Sequence, residues 1–404
     1  MIHAIEIENF RSFDKLVRIE FTAKPEKAGT HGYSKLLPSG AVVSKLAVFV
    51  GANASGKSNI LKAITLIGWL ISKSAETNQN GHEYLVPFID RTDAPSFLAI
   101  EFCDGQEELF RYEVTLGANL FFHEEKLSVR QTSRAQTRIL FHRLLNKQSI
   151  LKFKDTNEAD WGLIPQRANA SLIGSMILSG KRPNAESNAY DICQRIYNFA
   201  RNGLHKISPE FDVGTMLSWG RIGKLLYDDK DLLKKASDFI QYADIGAIRL
   251  ETGKNQFANT VTGEERTTYF PVVVHSINGK DVKMDFRLES SGTRKILHLF
   301  SEARPVAEKS GILVLDEIEE GIHPHLLPIL VDAFVSTGET SQTIIATHCD
   351  HLLRHIEHDQ VYITEKDDKG ATDAYKASDM EGFKADRNLQ GWYHAGKLGG
   401  IPRL

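Results

Sequence analysis

Residues 46–58, which read LAVFVGANASGKS, decide the fold of this 404-residue chain. The first five of them form an apolar run without a polar side chain, as expected for a buried strand of a parallel sheet. Residues 51–58 match the pattern G-x-x-x-x-G-K-[ST], and the mostly apolar residues 59–71 predict a helix. A strand, a glycine-rich loop and a helix in this order predict a phosphate-binding loop at the carboxyl end of a central strand.

The composition of the loop indicates the chemistry of its ligand. Its glycines let several backbone N–H groups converge on phosphate oxygens, and the helix N-terminus adds about half a positive charge there. Lys57 is expected to reach the β- and γ-phosphates, and the hydroxyl of Ser58 to coordinate Mg²⁺. We therefore predict ATP and Mg²⁺ as cofactors. The residues of this segment predicted to bind the nucleotide are Asn53, Ala54, Ser55, Gly56, Lys57, Ser58 and Asn59.

Two further apolar runs end in polar residues that would complete a catalytic site. Residues 312–317 read ILVLDE, so Asp316 ends a strand, where it is expected to hold Mg²⁺ through water. Glu317 is placed to polarise the water that attacks the γ-phosphate. Residues 342–348 read QTIIATH and predict a strand beside the first. We predict Lys57, Glu317 and His348 as the catalytic residues, with His348 pointing at the γ-phosphate from the tip of this strand.

A second anion-binding turn is predicted at residues 288–295, which read LESSGTRK and precede an apolar helical run. Ser290, Ser291 and Gly292 would form a turn at the start of this helix, where N–H groups and a hydroxyl bind anions. This turn lies well over two hundred residues from the first loop. A single nucleotide is hard to place against both the phosphate-binding loop and this turn within one subunit.

The order of these motifs resembles that of the ABC-type ATPase heads of the SMC/RecF/OLD class. In that class the second turn caps the nucleotide of the other subunit, which implies a homodimer, or a higher homo-oligomer, through ATP-bridged heads. The resemblance also implies that residues 320–323, EGIH, form a D-loop at the dimer seam. It further implies that Arg11 and Ser12, within NFRSF at 9–13, approach the nucleotide.

Two features depart from the pattern of the class. The turn reads ESSGT where transporters have LSGGQ, which favours a stand-alone ATPase similar to OLD proteins. A Q-loop glutamine is not placed, and Gln131 and Gln136 are the two candidates.

The fold class implied is α/β: an ABC-type ATPase head with a mixed or parallel sheet core, an antiparallel β lobe and a helical insert. Apolar runs at 312–315, 343–346 and 361–364 alternate with helical segments, which is typical of a parallel, doubly wound sheet. Strands are also predicted at 2–8 and 16–21, with a meander at 97–102, 110–116 and 121–129. From about 126 to 244 the pattern is mainly helical, as at 190–199. The predicted divisions are a first lobe at 1–129, an insert at 130–250 and a second lobe at 251–404.

Composition excludes several classes of protein. The net charge is −3, so no global basic excess draws the chain to nucleic acid. Three widely spaced cysteines, Cys103, Cys193 and Cys349, cannot form a disulfide framework or a zinc cluster, which fits a reducing compartment. The longest apolar stretch, 60–71, is too short to span a membrane, and the N-terminus lacks the features of a signal peptide. We expect a cytoplasmic protein without a membrane partner.

Length narrows the choice within the class. About 230 residues separate Ser58 from Ser290, which excludes the long coiled-coil arms of SMC proteins. Only 56 residues follow His348, too few for the Toprim nuclease domain of full OLD proteins. The chain resembles ATPase subunits of two-gene anti-phage systems of the RloA/AbiL, AriA or PtuA kind, and the tail GWYHAGKLGGIP at 391–402 is similar to theirs. This implies a separate effector such as a nuclease. The alternative is a RecF-like ATPase that acts on DNA in repair.

A local basic excess interrupts the balanced charge. Residues 126–154 contain eight basic residues and no acidic one. If this stretch is helical, Arg130, Arg134 and Arg138 share one face, which could follow a phosphate backbone with Phe141 and His142 available for stacking. The same residues could grip an acidic partner or form a solvated surface. The eight are Lys126, Arg130, Arg134, Arg138, Arg143, Lys147, Lys152 and Lys154.

Overall fold

The computed structural model describes thirteen segments of the chain, and all structural statements below concern them. They are residues 1–23, 33–37, 40–76, 85–104, 108–130, 136–145, 164–165, 167–182, 189–207, 216–243, 246–258, 265–382 and 388–401.

The strands form two large sheets and two smaller ones. In chain order they are β1 (Ile2–Glu8), β2 (Val17–Glu20), β3 (Ser34–Leu36), β4 (Val42–Ser44), β5 (Leu46–Val50), β6 (Ser96–Phe102), β7 (Leu109–Gly117), β8 (Phe121–Arg130), β9 (Arg138–Leu144), β10 (Leu204–Ile207), β11 (Ala247–Ala258), β12 (Glu265–Ile277), β13 (Lys280–Asp285), β14 (Ile312–Asp316), β15 (Gln342–Ala346), β16 (Val361–Lys366) and β17 (Thr372–Lys376).

The α-helices of the described segments lie between these strands or after them. They are α1 (Lys57–Ser72), α2 (Leu172–Ser179), α3 (Ala189–Asn202), α4 (Met216–Asp228), α5 (Lys230–Ala243), α6 (Ser291–Glu308), α7 (Leu327–Val335) and α8 (Leu389–His394). Short 3₁₀ turns connect several of them. None of the helices in these segments is both long and apolar enough to cross a membrane.

The core sheet has the strand order β10-β14-β15-β5-β16-β17. Adjacent strands of this sheet run parallel, except that β17 pairs antiparallel with β16 at one edge. The predicted parallel core is thus confirmed. Every residue of β5, β14 and β15 is buried, because helices cover both faces of the sheet. The carboxyl ends of these three adjacent strands therefore meet at one edge of the sheet.

A second sheet, with the order β2-β1-β6-β7-β8-β9, is antiparallel throughout, so the predicted β lobe with its meander is confirmed. One hydrophobic core joins this sheet, through α1, α2 and α3, to the face of the core sheet that carries Phe49. The opposite face, with Val48, packs against α4, α5, α6 and α7 in a second core. Alternate residues of β5 thus enter two different cores, which fixes the register of the strand.

The helical prediction for residues 126–144 is wrong in part. Residues 126–130 belong to β8 and residues 138–144 form β9, which extends the antiparallel sheet. Among the described residues that follow β9, the first α-helix is α2, and α3 confirms the helix predicted at 190–199. A third sheet, which is antiparallel and has the order β11-β12-β13, packs against α4 and α5. The predicted division of the chain into a first lobe at 1–129, an insert at 130–250 and a second lobe at 251–404 stays a prediction.

Candidate nucleotide-binding site

The phosphate loop leaves β5 and enters α1 at the edge where β14 and β15 also end. Gly56 precedes the helix with a φ of 112°, a left-handed conformation that favours glycine. Asn53 and Ala54 are exposed at the outside of the loop, and Ser55, Gly56 and Lys57 are buried. The local sequence thus forms the predicted strand, loop and helix.

Lys57 lies inside the loop and is only 4% exposed. Its Nζ donates to the carbonyl oxygens of Gly51 at 2.8 Å and Ala52 at 3.0 Å, and lies 3.4 Å from Nδ1 of His348. Burial lowers the pKa of Lys57 to about 8, although the charges of Glu319, Glu317 and Asp316 act in the opposite direction. The ammonium is held where phosphate oxygens would meet the loop.

Ser58 and Asp316 bring two hard oxygen donors together. The Ser58 hydroxyl donates to Oδ1 of Asp316 at 2.9 Å, although 258 residues separate the two in sequence. Asp316 as a whole residue is 9% exposed, at the carboxyl end of β14. A hydroxyl and a carboxylate are the kind of ligands that Mg²⁺ takes beside phosphate oxygens and water. The donor set therefore fits the predicted metal.

The phosphate loop also contacts two threonines, Thr364 on β16 and Thr372 on β17. Neither was singled out in the sequence analysis. The hydroxyls of Ser55 and Thr364 lie 2.6 Å apart, and the Thr372 hydroxyl donates to the Ser55 carbonyl at 2.8 Å. A Cβ on Gly51 would lie 2.3 Å from the Thr364 carbonyl oxygen, and one on Gly56 would lie 2.4 Å from Oγ1 of Thr372. Both glycines are thus required by close packing against these strands.

Ser12 reaches the same loop from the turn after β1. Its Oγ accepts from Nδ2 of Asn59 at 2.8 Å and lies 2.8 Å from Oγ1 of Thr372. Arg11, with a φ of 53°, directs its side chain into a groove along α1, where burial lowers its pKa. The structure therefore places Ser12 against the loop and Arg11 next to it.

Glu317 and His348 face each other at the open side of the site. His348 Nε2 lies 4.0 Å from Oε1 of Glu317, whose side chain is 51% exposed. Glu317 has a left-handed φ of 47°, and its N–H donates to the carbonyl of Ala346 at 2.9 Å. Burial, and then the charge of Lys57, lower the pKa of His348 below its usual value. This shift favours the neutral form of the imidazole.

Glu319 is a residue of this site that the sequence analysis missed. Its carboxylate accepts from the hydroxyl of Thr347 at 2.7 Å and from the backbone N–H of His348 at 2.5 Å. It thereby ties the segment after Asp316 to the end of β15. The sequence does show Glu319 as a third carboxylate within DEIE at 316–319. That pattern does not reveal its hydrogen bonds to Thr347 and His348, because they come from another strand.

The turn at 290–292 begins α6. Ser290 is its N-cap and accepts from the N–H of Thr293 at 3.1 Å, and Ser291 is exposed. A Cβ on Gly292 would lie 2.6 Å from the carbonyl oxygen of Gly321, so the turn packs on the segment predicted as the D-loop. The contacts of this turn within the described residues are to α6 and Gly321 rather than to the phosphate loop.

The structure does not support the phosphate-backbone role that we considered for residues 126–154. In the described part of this stretch, Lys126 pairs with Glu113 at 3.0 Å, and Arg130 lies 3.6 Å from Glu101. Arg143 pairs at 2.6 Å with Glu125, and neither side chain is exposed. Phe141 is buried, and His142 lies 2.5 Å from Glu124.

The proposed common face of Arg130, Arg134 and Arg138 is also wrong as a helix, since Arg130 ends β8 and Arg138 begins β9. Four of the eight basic residues of the stretch lie outside the described residues, and so does the candidate Gln131. They are Arg134, Lys147, Lys152 and Lys154. Gln136 is exposed just before β9.

A parallel sheet with a phosphate loop on one strand, an Asp-Glu pair two strands away and a histidine on the strand between defines an ABC-type ATPase of the SMC/RecF class. Within this class, the chain belongs to the family described as "AAA domain, putative AbiEii toxin, Type IV TA system", whose profile matches residues 46–354. No curated protein sequence matches the chain significantly.

The chain is also similar to solved structures of SMC heads. A head bound to the C-terminal winged-helix domain of ScpA is 14% identical, with a TM-score of 0.49, and the match covers 93% of this chain and 97% of that one. The head domain from Thermotoga maritima is 12% identical over 93% and 98%, with a TM-score of 0.42. A head from Pyrococcus furiosus bound to the C-terminal domain of ScpA is 12% identical over 93% and 95%, with a TM-score of 0.43.

Proposed function

We propose that this protein binds ATP with Mg²⁺ and hydrolyses ATP at a site shared by two copies of the chain. The observation that carries the proposal is the meeting of Lys57, the Ser58–Asp316 pair, Glu317 and His348 at one sheet edge. These groups match the needs of phosphoryl transfer to water, which are positioning and charge stabilisation.

Each group has a defined part in this mechanism. Lys57 would release its loop carbonyls and donate to the β- and γ-phosphate oxygens. Glu317 would accept the proton of the attacking water, and its exposure leaves room for that water. The neutral imidazole of His348 can donate one hydrogen bond to the γ-phosphate while Glu319 holds its backbone. Mg²⁺ held by Ser58 and Asp316 would neutralise charge on the phosphate oxygens.

The shared site is proposed because the turn at 290–292 contacts α6 and Gly321 rather than its own phosphate loop. Ser291 is exposed at a helix N-terminus, which suits the γ-phosphate of a nucleotide held by a partner copy. Because this turn packs on the predicted D-loop, a nucleotide at the seam would act on both segments at once.

Trans-complementation tests this arrangement. Lys57→Ala should remove the phosphate loop function and Ser291→Arg the capping turn, so each variant alone should lose ATPase activity. When mixed, they should recover part of it, because one of the two shared sites is then intact. As a matched control, Lys57→Ala mixed with Glu317→Gln should recover nothing, since the loop and the base come from the same copy. Recovery in neither mixture would contradict the shared site.

We further propose that ATP turnover controls a separate effector, such as a nuclease or toxin, in anti-phage defence. The family description supports this direction, since it names a toxin and a toxin–antitoxin system. Cells that carry the native gene neighbourhood should resist phage, and Lys57→Ala or Glu317→Gln should abolish the resistance. Full protection by both variants would contradict the role. RecF-like action on DNA is the alternative, and the paired charges of 126–143 do not favour it. The cytoplasmic location stays a prediction.

A further inference from the structure

The last described residues of the chain return to the phosphate loop. Residues 388–401, which we call the C-terminal segment, consist of α8 and the turns that follow it. Leu389 is 5% exposed and Leu398 is fully buried, and both belong to the hydrophobic core that contains Val48 of β5. The C-terminal segment is therefore docked on the core sheet by its own apolar side chains.

One end of the C-terminal segment lies on the first glycine of the phosphate loop. A Cβ on Gly400 would lie 3.4 Å from Cα of Gly51 and 3.3 Å from the carbonyl oxygen of Thr364. The N–H of Gly400 donates to Oε2 of Glu365 at 3.4 Å, and its φ of 68° is left-handed, which favours glycine. The carbonyl of Gly51 accepts from Nζ of Lys57. The position of Gly400 therefore limits where Gly51 can lie, and Gly51 holds the ammonium of the loop.

Two tyrosine hydroxyls fix this end of the C-terminal segment. Tyr375 on β17 donates to the carbonyl of Leu398 at 3.1 Å, and Tyr393 on α8 donates to the carbonyl of Gly400 at 3.3 Å. Burial raises the pKa of Tyr375, so its hydroxyl keeps the proton that it donates. Because β17 also carries Thr372, the same strand contacts the phosphate loop directly and supports it through the C-terminal segment.

The other end of the C-terminal segment holds the turn that follows His348. Asp350 begins this turn, two residues after His348. Its Oδ2 accepts from Nε2 of Gln390 at 3.4 Å and also contacts Nε2 of His394. Oε1 of Gln390 accepts from Nε of Arg354, the last residue of the same turn. Two side chains of α8 thus contact both ends of the turn, next to the imidazole that faces Lys57 and Glu317.

We propose that the C-terminal segment is a positioning element of the ATPase site, in which Gly400 holds the phosphate loop and His394 holds the turn after His348. This inference rests on the proposed hydrolysis of ATP. The phosphate loop would bind ATP, whereas His348 would contact the γ-phosphate during hydrolysis. A change at Gly400 should therefore act on KM, and a change at His394 should act on kcat. A segment that only stabilised the fold would change neither constant of the folded molecules.

ATP kinetics of the full chain, expressed per folded molecule, test the contact of Gly400. Gly400→Ala should raise KM for ATP about fivefold and leave kcat nearly unchanged, because the added methyl group displaces Gly51. Gly382→Ala is the matched control. Gly382 has a similar left-handed φ of 77°, but a Cβ there has no neighbour within 4 Å among the described residues. An equal change of KM in the two variants, or no change in Gly400→Ala, would overturn the role of Gly400.

The contact of His394 is tested by a double-mutant cycle with Asp350. His394→Ala should lower kcat about threefold with little change of KM, and adding Asp350→Ala should lower it no further, because both act through one contact. The two side chains are 57% and 36% exposed, so these variants should fold. His394→Gln, which keeps a donor, should recover part of the loss. Lys397→Ala is the control from the same segment, since the Lys397 ammonium lies over the ring of Trp392. Additive losses in the double variant, or an equal loss in Lys397→Ala, would overturn the role of His394.

Isothermal titration with a non-hydrolysable ATP analogue separates this inference from the proposed function. An active wild type whose Gly400→Ala and His394→Ala variants behave normally would overturn the positioning role and leave the proposed function intact. An inactive wild type would contradict the proposed function. Weaker binding of the analogue to Gly400→Ala than to Gly382→Ala would then still support the contact with the phosphate loop, and equal binding would overturn it. Circular dichroism establishes the folded fraction of each variant.

Discussion

The carboxyl edge of the core sheet and the open face of the antiparallel sheet both concentrate charged side chains, but they use them differently. On the antiparallel sheet, Arg111 contacts Glu6 at 2.7 Å, Glu101 at 2.9 Å and Glu113 at 3.0 Å, and Arg18 contacts Glu6 and Glu101. Burial alone would raise the pKa of Glu6, but hydrogen bonds from the two arginines outweigh it and lower that pKa. Each charge there stabilises its neighbours.

At the carboxyl edge of the core sheet, burial outweighs the charge contacts in setting the pKa. Burial dominates and lowers the pKa of Lys57 despite three carboxylates nearby. Glu317 and His348 remain 4.0 Å apart, and Glu317 is half exposed. The contacts that join His348 to Lys57 and to Glu317 are thus longer than the arginine–glutamate contacts of the antiparallel sheet. A charged stretch therefore indicates function only when its charges are not already paired within the fold, and a local count of charged residues in the sequence does not show that.

The largest effect on ATP hydrolysis is expected from removal of the Lys57 side chain. Lys57→Ala should lower kcat/KM for ATP by roughly a hundredfold or more, because a preorganised cation in a water-poor site is lost. Steady-state phosphate release measures the effect, and Lys366→Ala serves as the exposed control. Activity within a few-fold of wild type would show that Lys57 does not contact the phosphates.

On the other sheet, a comparable change should affect stability and leave chemistry intact. Arg143→Met should lower the free energy of unfolding by about 3–5 kcal/mol, because the buried Glu125 would lose its counter-charge. Arg130→Met, at a partly exposed pair, should cost about 1 kcal/mol or less. Urea unfolding measures both, and ATP turnover per folded molecule should not change. A free energy of unfolding for Arg143→Met equal to that of the wild type would contradict the structural role of this ion pair.

The sequence predicts the position of a site residue when that position depends on a local pattern, and it fails when the position depends on contacts between distant strands. Short apolar runs that end in Asp316 and His348 placed both residues correctly, because parallel strands bring their carboxyl ends together. Thr364 and Thr372 brace the phosphate loop through strand neighbours that no local pattern reveals. The spacing of Arg130, Arg134 and Arg138 misled, because a spacing of four suits one face of a helix and one face of a strand equally.

A smaller effect is expected from the contact that links the two strand ends. Glu319→Ala should lower kcat roughly tenfold and leave KM nearly unchanged, because His348 would lose its fixed position while the phosphate loop stays intact. Glu339→Ala, an exposed carboxylate before β15, is the control. An increase in KM with normal kcat would indicate a role in binding instead.

The smallest effect concerns pH. Because burial lowers the pKa of Lys57 to about 8, the ammonium is present below that pH and lost above it. The value of kcat/KM, which reports the free enzyme, should therefore decline as pH rises through about 8. A profile in stopped-flow or steady-state assays from neutral to alkaline pH measures this. A value that stays constant up to the usual pKa range of lysine would show that Lys57 is not desolvated in this way.

The most direct test of the ATPase site is Glu317→Gln, examined for turnover and for ATP affinity in the same preparation. The site predicts a loss in kcat of about a hundredfold or more, since the general base is removed. It also predicts ATP affinity within a few-fold of wild type and an ATP-dependent dimer that accumulates in light scattering. Turnover at the wild-type rate would contradict the assignment of Glu317 as the base.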